Sequence, residues 1–239
     1  MSKIPKIIHQ VWLGDVQLLP EQLRILTETW KNDYPLWKYI FWDNSRIYKF
    51  IQEFYPEYID VFNGYQYDIQ RCDAIRYLIL NKYGGMYVDF DYESITPLDS
   101  LIADKSCCFA LEPKSHCDVY YRKVDQVFNN ALIACKPGHP FMSKIVEIVF
   151  SNKTLNFRAK RKDICVLSST GPWLLIDLYY DLPLNEREDI YLIPAKYVTP
   201  FDSIQANRFV AGEMSNELEC CLTDAYAVHY FLGSWRSDN

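Results

Sequence analysis

The 239-residue sequence is short of several things, and each shortage removes a class of function. Positive charge is in deficit: 25 Lys and Arg against 31 Asp and Glu leave a formal net charge of -6. Nucleic acid and anionic membranes call for a basic face, so neither is expected as the main partner. Long apolar runs are missing as well. No segment approaches the ~18 uninterrupted apolar residues of a spanning helix. The N-terminal "MSKIPKIIHQVWLG" is too short and too interrupted for the core of a signal peptide. A cytoplasmic location is therefore expected. The basic stretch "RAKRKD" (158–163) reads first as a solvated loop, with contact to an anionic acceptor or the inner face of a membrane as the alternative. The eight cysteines (72, 107, 108, 117, 135, 165, 220, 221) include no CxxC pair. In a chain this long without a signal peptide they read as reduced thiols. Cys107-Cys108 with His116-Cys117 sketches a zinc site, but the spacing fits no standard pattern and it is given no role. There is no internal repeat, low-complexity tract or long linker, so residues 1–239 are expected to form a single domain.

What is present is ordinary in bulk and rich in aromatics. The hydrophobic fraction of 49% and charged fraction of 23% suit a soluble globular chain. With 19 Tyr and 6 Trp, aromatic residues fill cores and also suit stacking on bases or sugar rings. Strand-like "KIIHQVWLG" precedes a helix over 20–32, with Leu23, Leu26, Thr27 and Trp30 at helical spacing. "WKYIFWD" (37–43) reads as a second strand and Asn44 as the N-cap of a second helix. This alternation predicts an α/β fold with a mostly parallel, Rossmann-like sheet flanked by helices. Next, "YDIQRCDAIRYLILNKYGG" predicts a helix capped at Asp68, with Ile69, Cys72, Ile75, Ile79 and Tyr83 forming its apolar stripe. Asp73 and Arg76 fall on a flanking face, and Gly84 or Gly85 ends the helix. Strands follow at "CCFALEP" and "NNALIACKP", then a helix near 140–151, a helix at "TGPWLLIDLYY" and strand-like pieces toward the C-terminus. His9, inside the first strand, reads as a core histidine without a functional role.

"YGGMYVDFD" (83–91) ends a short apolar strand in Asp89-x-Asp91. Where the chain turns at a strand's carboxyl end, two carboxylates can converge on one hard cation. Mg²⁺ or Mn²⁺ held this way takes its other ligands from phosphates and water. Taken alone, the same tripeptide also describes a pair of solvated loop aspartates. Context separates the two.

"RCDAIRYLILNKYGGMYVDFD", preceded by "IPKIIHQVWLG" and followed by "NNALIACKPGHPF", "STGPWLL" and "HYFLGSW", closely resembles the DxD sugar-nucleotide glycosyltransferases of family 32. That group includes bacterial capsule and polysaccharide transferases and is related to the clostridial glucosylating toxins. The resemblance implies a GT-A fold, with a nucleotide-binding part over roughly 1–112 and an acceptor side with a C-terminal lid over 113–239. It implies transfer of a hexose, with retention of configuration, from a nucleotide sugar to a glycan or lipid-linked acceptor in polysaccharide biosynthesis. UDP-galactose, UDP-glucose and GDP-mannose all occur as donors in the family, with UDP-galactose or UDP-glucose favoured and no residue here deciding between them. Asp89 would lie near ribose and metal, Asp91 would bind the metal directly, and Asp73 with Arg76 would grip the donor sugar. Trp12 would stack on the base, His229 would bind the metal, and Ser234 with Trp235 would close over the diphosphate. Mn²⁺ or Mg²⁺ would be the cofactor.

Rival readings exist. A haloacid-dehalogenase-type phosphatase also ends a strand in Asp-x-Asp, but Glu93 stands where Thr or Val belongs, and the motif lies far from the N-terminus. A non-catalytic sugar-nucleotide module would lack the aspartates or the Asp73–Arg76 pair. Toxin-like glycosylation of a protein acceptor remains the alternative destination for the sugar.

Overall fold

The computed structural model describes residues 4–233. Its centre is a six-stranded sheet in the order β2-β1-β3-β6-β5-β7, formed by β1 (Ile7–Val11), β2 (Lys38–Trp42), β3 (Gly85–Val88), β5 (Cys107–Leu111), β6 (Phe128–Cys135) and β7 (Ile190–Ile193). β1 runs parallel to both β2 and β3, and β5 runs parallel to β7. Only β6 is reversed, pairing antiparallel with β3 and β5. The mostly parallel α/β sheet predicted from the sequence is therefore the one observed. A second, two-stranded sheet pairs β4 (Tyr92–Ser94) with β8 (Ala227–His229), which the sequence pattern did not reveal as partners.

Strand periodicity divides the interior into two cores, one on each face of the sheet. Val11, Tyr87, Phe109 and Ile133 point to one face, against α2 (Asn44–Phe54) and α4 (Asp68–Tyr83). Ile8, Met86, Val88, Leu132 and Ala134 point to the other, where Trp30 of α1 (Glu21–Asp33) is fully enclosed. Between α2 and α4 lies the short α3 (Ile59–Gly64), whose Phe62 joins the first core.

Three local readings change. The cap of α2 is Asp43, whose carboxylate accepts the Arg46 N–H at 2.8 Å, rather than Asn44. Asp68 is the first residue inside α4 and pairs with Arg71 instead of capping. The "RAKRKD" stretch runs into a helix, Lys162–Ser169; Arg158 donates to the Leu155 and Phe157 carbonyls and Arg161 pairs with Asp163. α4 is also more deeply buried than a stripe predicts. Its residues 73–80 are all enclosed, so Asp73 and Arg76 lie in the interior rather than on a flank. Among the described residues, no helix is long and apolar enough to cross a membrane.

The double glycine makes the α4–β3 corner possible. Gly84 caps the helix at φ +61°, and a Cβ there would lie 2.6 Å from Pro137 Cδ. Gly85, at φ +99°, lets β3 press against β1; a Cβ would stand 2.6 Å from the Ile7 carbonyl oxygen. His9 locks the same corner. Its Nδ1 accepts the Trp42 indole N–H at 3.1 Å, so Nε2 carries the proton and donates to the Gly84 carbonyl at 2.9 Å. The ring is neutral by construction, and burial lowers its pKa to about 4.

This sets a pH dependence. Between pH 6.5 and about 4 the unfolded chain protonates His9 while the native state resists, so acidification through that window costs stability. The contribution is roughly 3 kcal/mol when complete. Urea unfolding at pH 7.5, 5.5 and 4.5 should show this loss, and His9→Asn should flatten that part of the profile. A profile equally steep in wild type and His9→Asn would contradict the assignment.

Candidate active site

β3 delivers Asp89 to the carboxyl edge of the sheet, where its N–H donates to the Ala131 carbonyl of β6 at 2.8 Å. Beneath it lies Arg76, 2% exposed, between two carboxylates. Its guanidinium stands 3.2 Å from Asp73 and 3.3 Å from Asp89, donates to the Asn130 carbonyl at 2.7 Å, and lies 4.4 Å over the Tyr87 ring. The planar fork thus joins helix α4 to the tips of β3 and β6, a geometry an ammonium cannot reproduce. Asp73 is fixed from every side, accepting from Asn130 Nδ2 at 2.8 Å and the Thr170 hydroxyl at 3.0 Å. Burial pushes its carboxyl up to about 6, with Arg76 and these donors holding it down against that. Asp89 accepts the Tyr87 hydroxyl at 2.5 Å. Its pKa is also raised by burial, opposed by Arg76 and reinforced by the neighbouring charge of Asp91.

Asp91 faces the chain's C-terminal segment. β8 pairs antiparallel with β4 so that Tyr92 lies opposite His229, and His229 Nε2 approaches Asp91 to 3.3 Å. Beyond the strand the backbone wraps the carboxylate: Tyr230 N–H donates to the Asp91 carbonyl at 2.9 Å and Leu232 N–H to its side chain at 3.0 Å. The wrap needs Phe231 at φ +50°, a conformation rarely adopted by a bulky residue, so the surroundings impose it. His229 stacks on Tyr92 with ring centroids 4.5 Å apart. Burial alone would raise the Asp91 pKa and lower that of His229. Their mutual attraction outweighs it in both, giving a depressed carboxyl and a raised imidazole.

The donor set fits a divalent cation. Three carboxylates at this edge face one guanidinium, so negative charge remains even when His229 is protonated. His229 Nδ1 is buried and has no hydrogen-bond partner among the described residues. Carboxylate oxygens suit Mg²⁺ or Mn²⁺. Asp91 and His229 are already in contact, whereas Asp89 is turned toward Arg76 and Tyr87.

The remaining sequence-predicted residues are placed as follows. Trp12, just after β1, packs edge-on to Phe90 at 5.8 Å and its indole N–H donates to the Asp15 carbonyl. The adjoining Leu13 and Gly14, with Asn44, Tyr48, Asn63 and Arg71, line a cavity of about 380 Å³ opening beside α4. Ser234 and Trp235 lie outside the described residues. The sketched zinc site is not assembled. His116 hydrogen-bonds Glu112 at 2.9 Å, and Cys107 lies instead with Cys135 and His139 at the opposite sheet edge. His139 has no free lone pair there, because Nδ1 accepts the Phe141 N–H and Nε2 donates to Asp189.

Sequence reasoning missed Tyr87, Asn130, Thr170 and Gln10. Asn130 and Thr170 sit inside "NNALIACKPGHPF" and "STGPWLL", so their polar side chains within apolar motifs were the available signal. Gln10 is fully buried on β1, accepts from the Thr27 and Tyr39 hydroxyls at 3.0 and 2.7 Å, and reaches toward the Asp89 carbonyl.

Comparison with known proteins agrees with this geometry. Residues 20–108 match the family profile described as a glycosyltransferase sugar-binding region containing the DXD motif. An uncharacterized glycosyltransferase of Acanthamoeba polyphaga mimivirus is 30% identical over 240 residues, spanning 97% of this chain and 84% of that protein. The inositol phosphoceramide mannosyltransferase 1 of Schizosaccharomyces pombe is 30% identical over 82% of this chain, which spans only 57% of that enzyme's length. The PaToxG glycosyltransferase structure superposes with a TM-score of 0.57 at 17% identity, covering 94% of this chain and 89% of its own, so the fold is of the GT-A kind. A buried Asp–Arg pair beneath a strand-end DxD, on this sheet and with these relatives, leads to one assignment: the chain belongs to the DXD-containing glycosyltransferases, of the family 32 type.

Proposed function

We propose that this chain transfers a hexose from a nucleotide sugar to a hydroxyl of a glycan or lipid-linked acceptor, with retention of configuration. The observation that carries the proposal is Arg76, buried between Asp73 and Asp89 at the strand edge. Enclosing a guanidinium is costly unless it is paired and hydrogen-bonded, as Arg76 is by Asp73, Asp89 and the Asn130 carbonyl. In the proposed reaction the bond between the anomeric carbon and the diphosphate oxygen breaks, and a new one forms to the acceptor oxygen, whose proton leaves with the diphosphate. Asp73 and Arg76 would hold the donor sugar; Asp89, Asp91 and His229 would hold a divalent cation of the kind that enzymes of this family and fold generally use. When bound, the cation supplies positive charge to the departing diphosphate. The cavity beside Leu13, Gly14 and Asn44 is the proposed seat of the nucleoside, and Trp12 flanks it rather than lining it. In this scheme roughly the first 112 residues bind the nucleotide, and the remainder of one domain binds the acceptor. The Schizosaccharomyces pombe relative is named a mannosyltransferase, which favours a mannosyl donor over UDP-galactose or UDP-glucose. A thermal-shift panel of nucleotide sugars with and without Mn²⁺ tests the donor. A cognate donor at a hundredfold excess over Kd stabilises the fold by about 2.7 kcal/mol, and the absence of any stabilising nucleotide would overturn the proposal.

Metal dependence should be complete. Stripping with EDTA should abolish donor turnover and added Mn²⁺ or Mg²⁺ should restore it; full activity in metal-free enzyme would exclude a role for the cation.

Arg76→Lys should lower kcat/KM at least tenfold, because one ammonium cannot span Asp73, Asp89 and the Asn130 carbonyl together. Binding of the free nucleoside diphosphate, measured by calorimetry, should change little. An equal loss there would move Arg76 from the sugar to the phosphates.

A further inference from the structure

An aromatic cluster stands at the active-site edge, where the segment after β5 meets a helix. The loop 112–127 joins the carboxyl end of β5 to the start of β6 and therefore hangs over the same edge as Asp89. Facing it is the helix Pro172–Tyr180, which begins two residues after Thr170, the donor to Asp73. Where loop and helix meet, Tyr121 and Trp173 lie 5.9 Å apart with their rings inclined at 55°. Tyr120, buried, backs both, at 4.8 Å from Tyr121 and 6.0 Å from Trp173. Asp177 stands one helical turn beyond Trp173, on the same face. It accepts the Tyr120 hydroxyl at 2.6 Å, Arg122 at 2.7 Å, and the Tyr121 hydroxyl.

We propose that Tyr121 and Trp173, rimmed by Asp177 and Arg122, form the platform that receives the acceptor, and that it takes a polyhydroxylated six-membered ring, a pyranose or a cyclitol. This rests on the transferase reading and deepens it. Such a ring presents a C–H face that an aromatic side chain covers and an equatorial edge of hydroxyls that a carboxylate and a guanidinium satisfy. The cluster offers both kinds of surface together. Tyr121 is 63% exposed although its hydroxyl is tied down, so a large apolar face is held open to solvent at fixed orientation. A rigid aromatic loses little entropy on binding. The placement also divides the edge sensibly. The nucleoside cavity by Leu13 and Asn44 lies on the β1 side, the Asp73–Arg76 pair lies centrally, and this platform lies on the far side, reached through Thr170.

The test is saturation-transfer NMR on the full chain with diamagnetic Mg²⁺ and either UDP or GDP, using methyl α-D-mannopyranoside and myo-inositol as separate probes. At least one probe should receive saturation from wild type, and which one responds separates a sugar from a cyclitol acceptor. The signal should fall at least fivefold in Tyr121→Ala and in Trp173→Ala. It should survive in Tyr121→Phe, which keeps the ring and loses only the bond to Asp177. Wild-type melting temperature in these variants excludes misfolding as the cause. If neither probe is saturated by wild type, or if both alanine variants bind as wild type does, the proposal is overturned and the cluster only anchors the loop. Failure of the transferase reading is distinguishable: no nucleotide would bind, whereas the contrast between alanine and phenylalanine variants toward the sugar probe would persist.

Discussion

Burying a guanidinium is the constraint around which the catalytic edge is organised. Arg76 cannot lose its charge, and its desolvation costs several kcal/mol unless every N–H finds an acceptor. The fold supplies them from different parts of the chain: Asp73 and the Cys72 carbonyl from its own helix, Asp89 from β3, and the Asn130 carbonyl from β6. These acceptors fix how α4 sits on the sheet. The glycines make the approach possible, since a side chain at either 84 or 85 would collide with Pro137 or with β1. The helix end, the first strand and the DxD corner are therefore one mechanical unit, with His9 and Gln10 as its internal struts.

The second half of the site hangs on this unit through Asp91. A carboxylate depressed by an adjacent imidazole and a backbone N–H stays ionised, as the proposed cation ligand would need to be. The segment that supplies those groups, 229–232, comes from the opposite end of the chain and adopts a strained backbone at Phe231 to do so. Strain held by surrounding contacts is a common property of functional segments. Here it links the chain's C-terminal region to the charge state of the DxD.

Much of this was legible in the sequence because it obeys local rules. The alternating strands and helices, the glycine stop after Tyr83 and the strand-end position of Asp89 follow from periodicity and turn chemistry. What was not legible is non-local. The stripe on α4 placed Asp73 and Arg76 on a flank, since a stripe cannot report that a helix is covered on every side. The pairing of β4 with β8 spans well over a hundred residues and involves strands of three residues each. Thr170 and Asn130 matter only through what they touch, namely Asp73 and Arg76. Trp12 packs edge-on to Phe90, while its neighbours Leu13 and Gly14 line the cavity, a division that periodicity along β1 does not report.

In the proposed function, the negative charge left at the sheet edge holds a divalent cation, with Asp91 as its fixed ligand. Mn²⁺ titration followed by electron paramagnetic resonance, comparing wild type with Asp91→Asn in the presence of nucleoside diphosphate, measures this directly. Kd should be at least tenfold weaker in Asp91→Asn, in a protein that still folds but melts somewhat lower than wild type, because the attraction between the Asp91 carboxylate and His229 is lost. Equal Mn²⁺ affinity in the two proteins would contradict it.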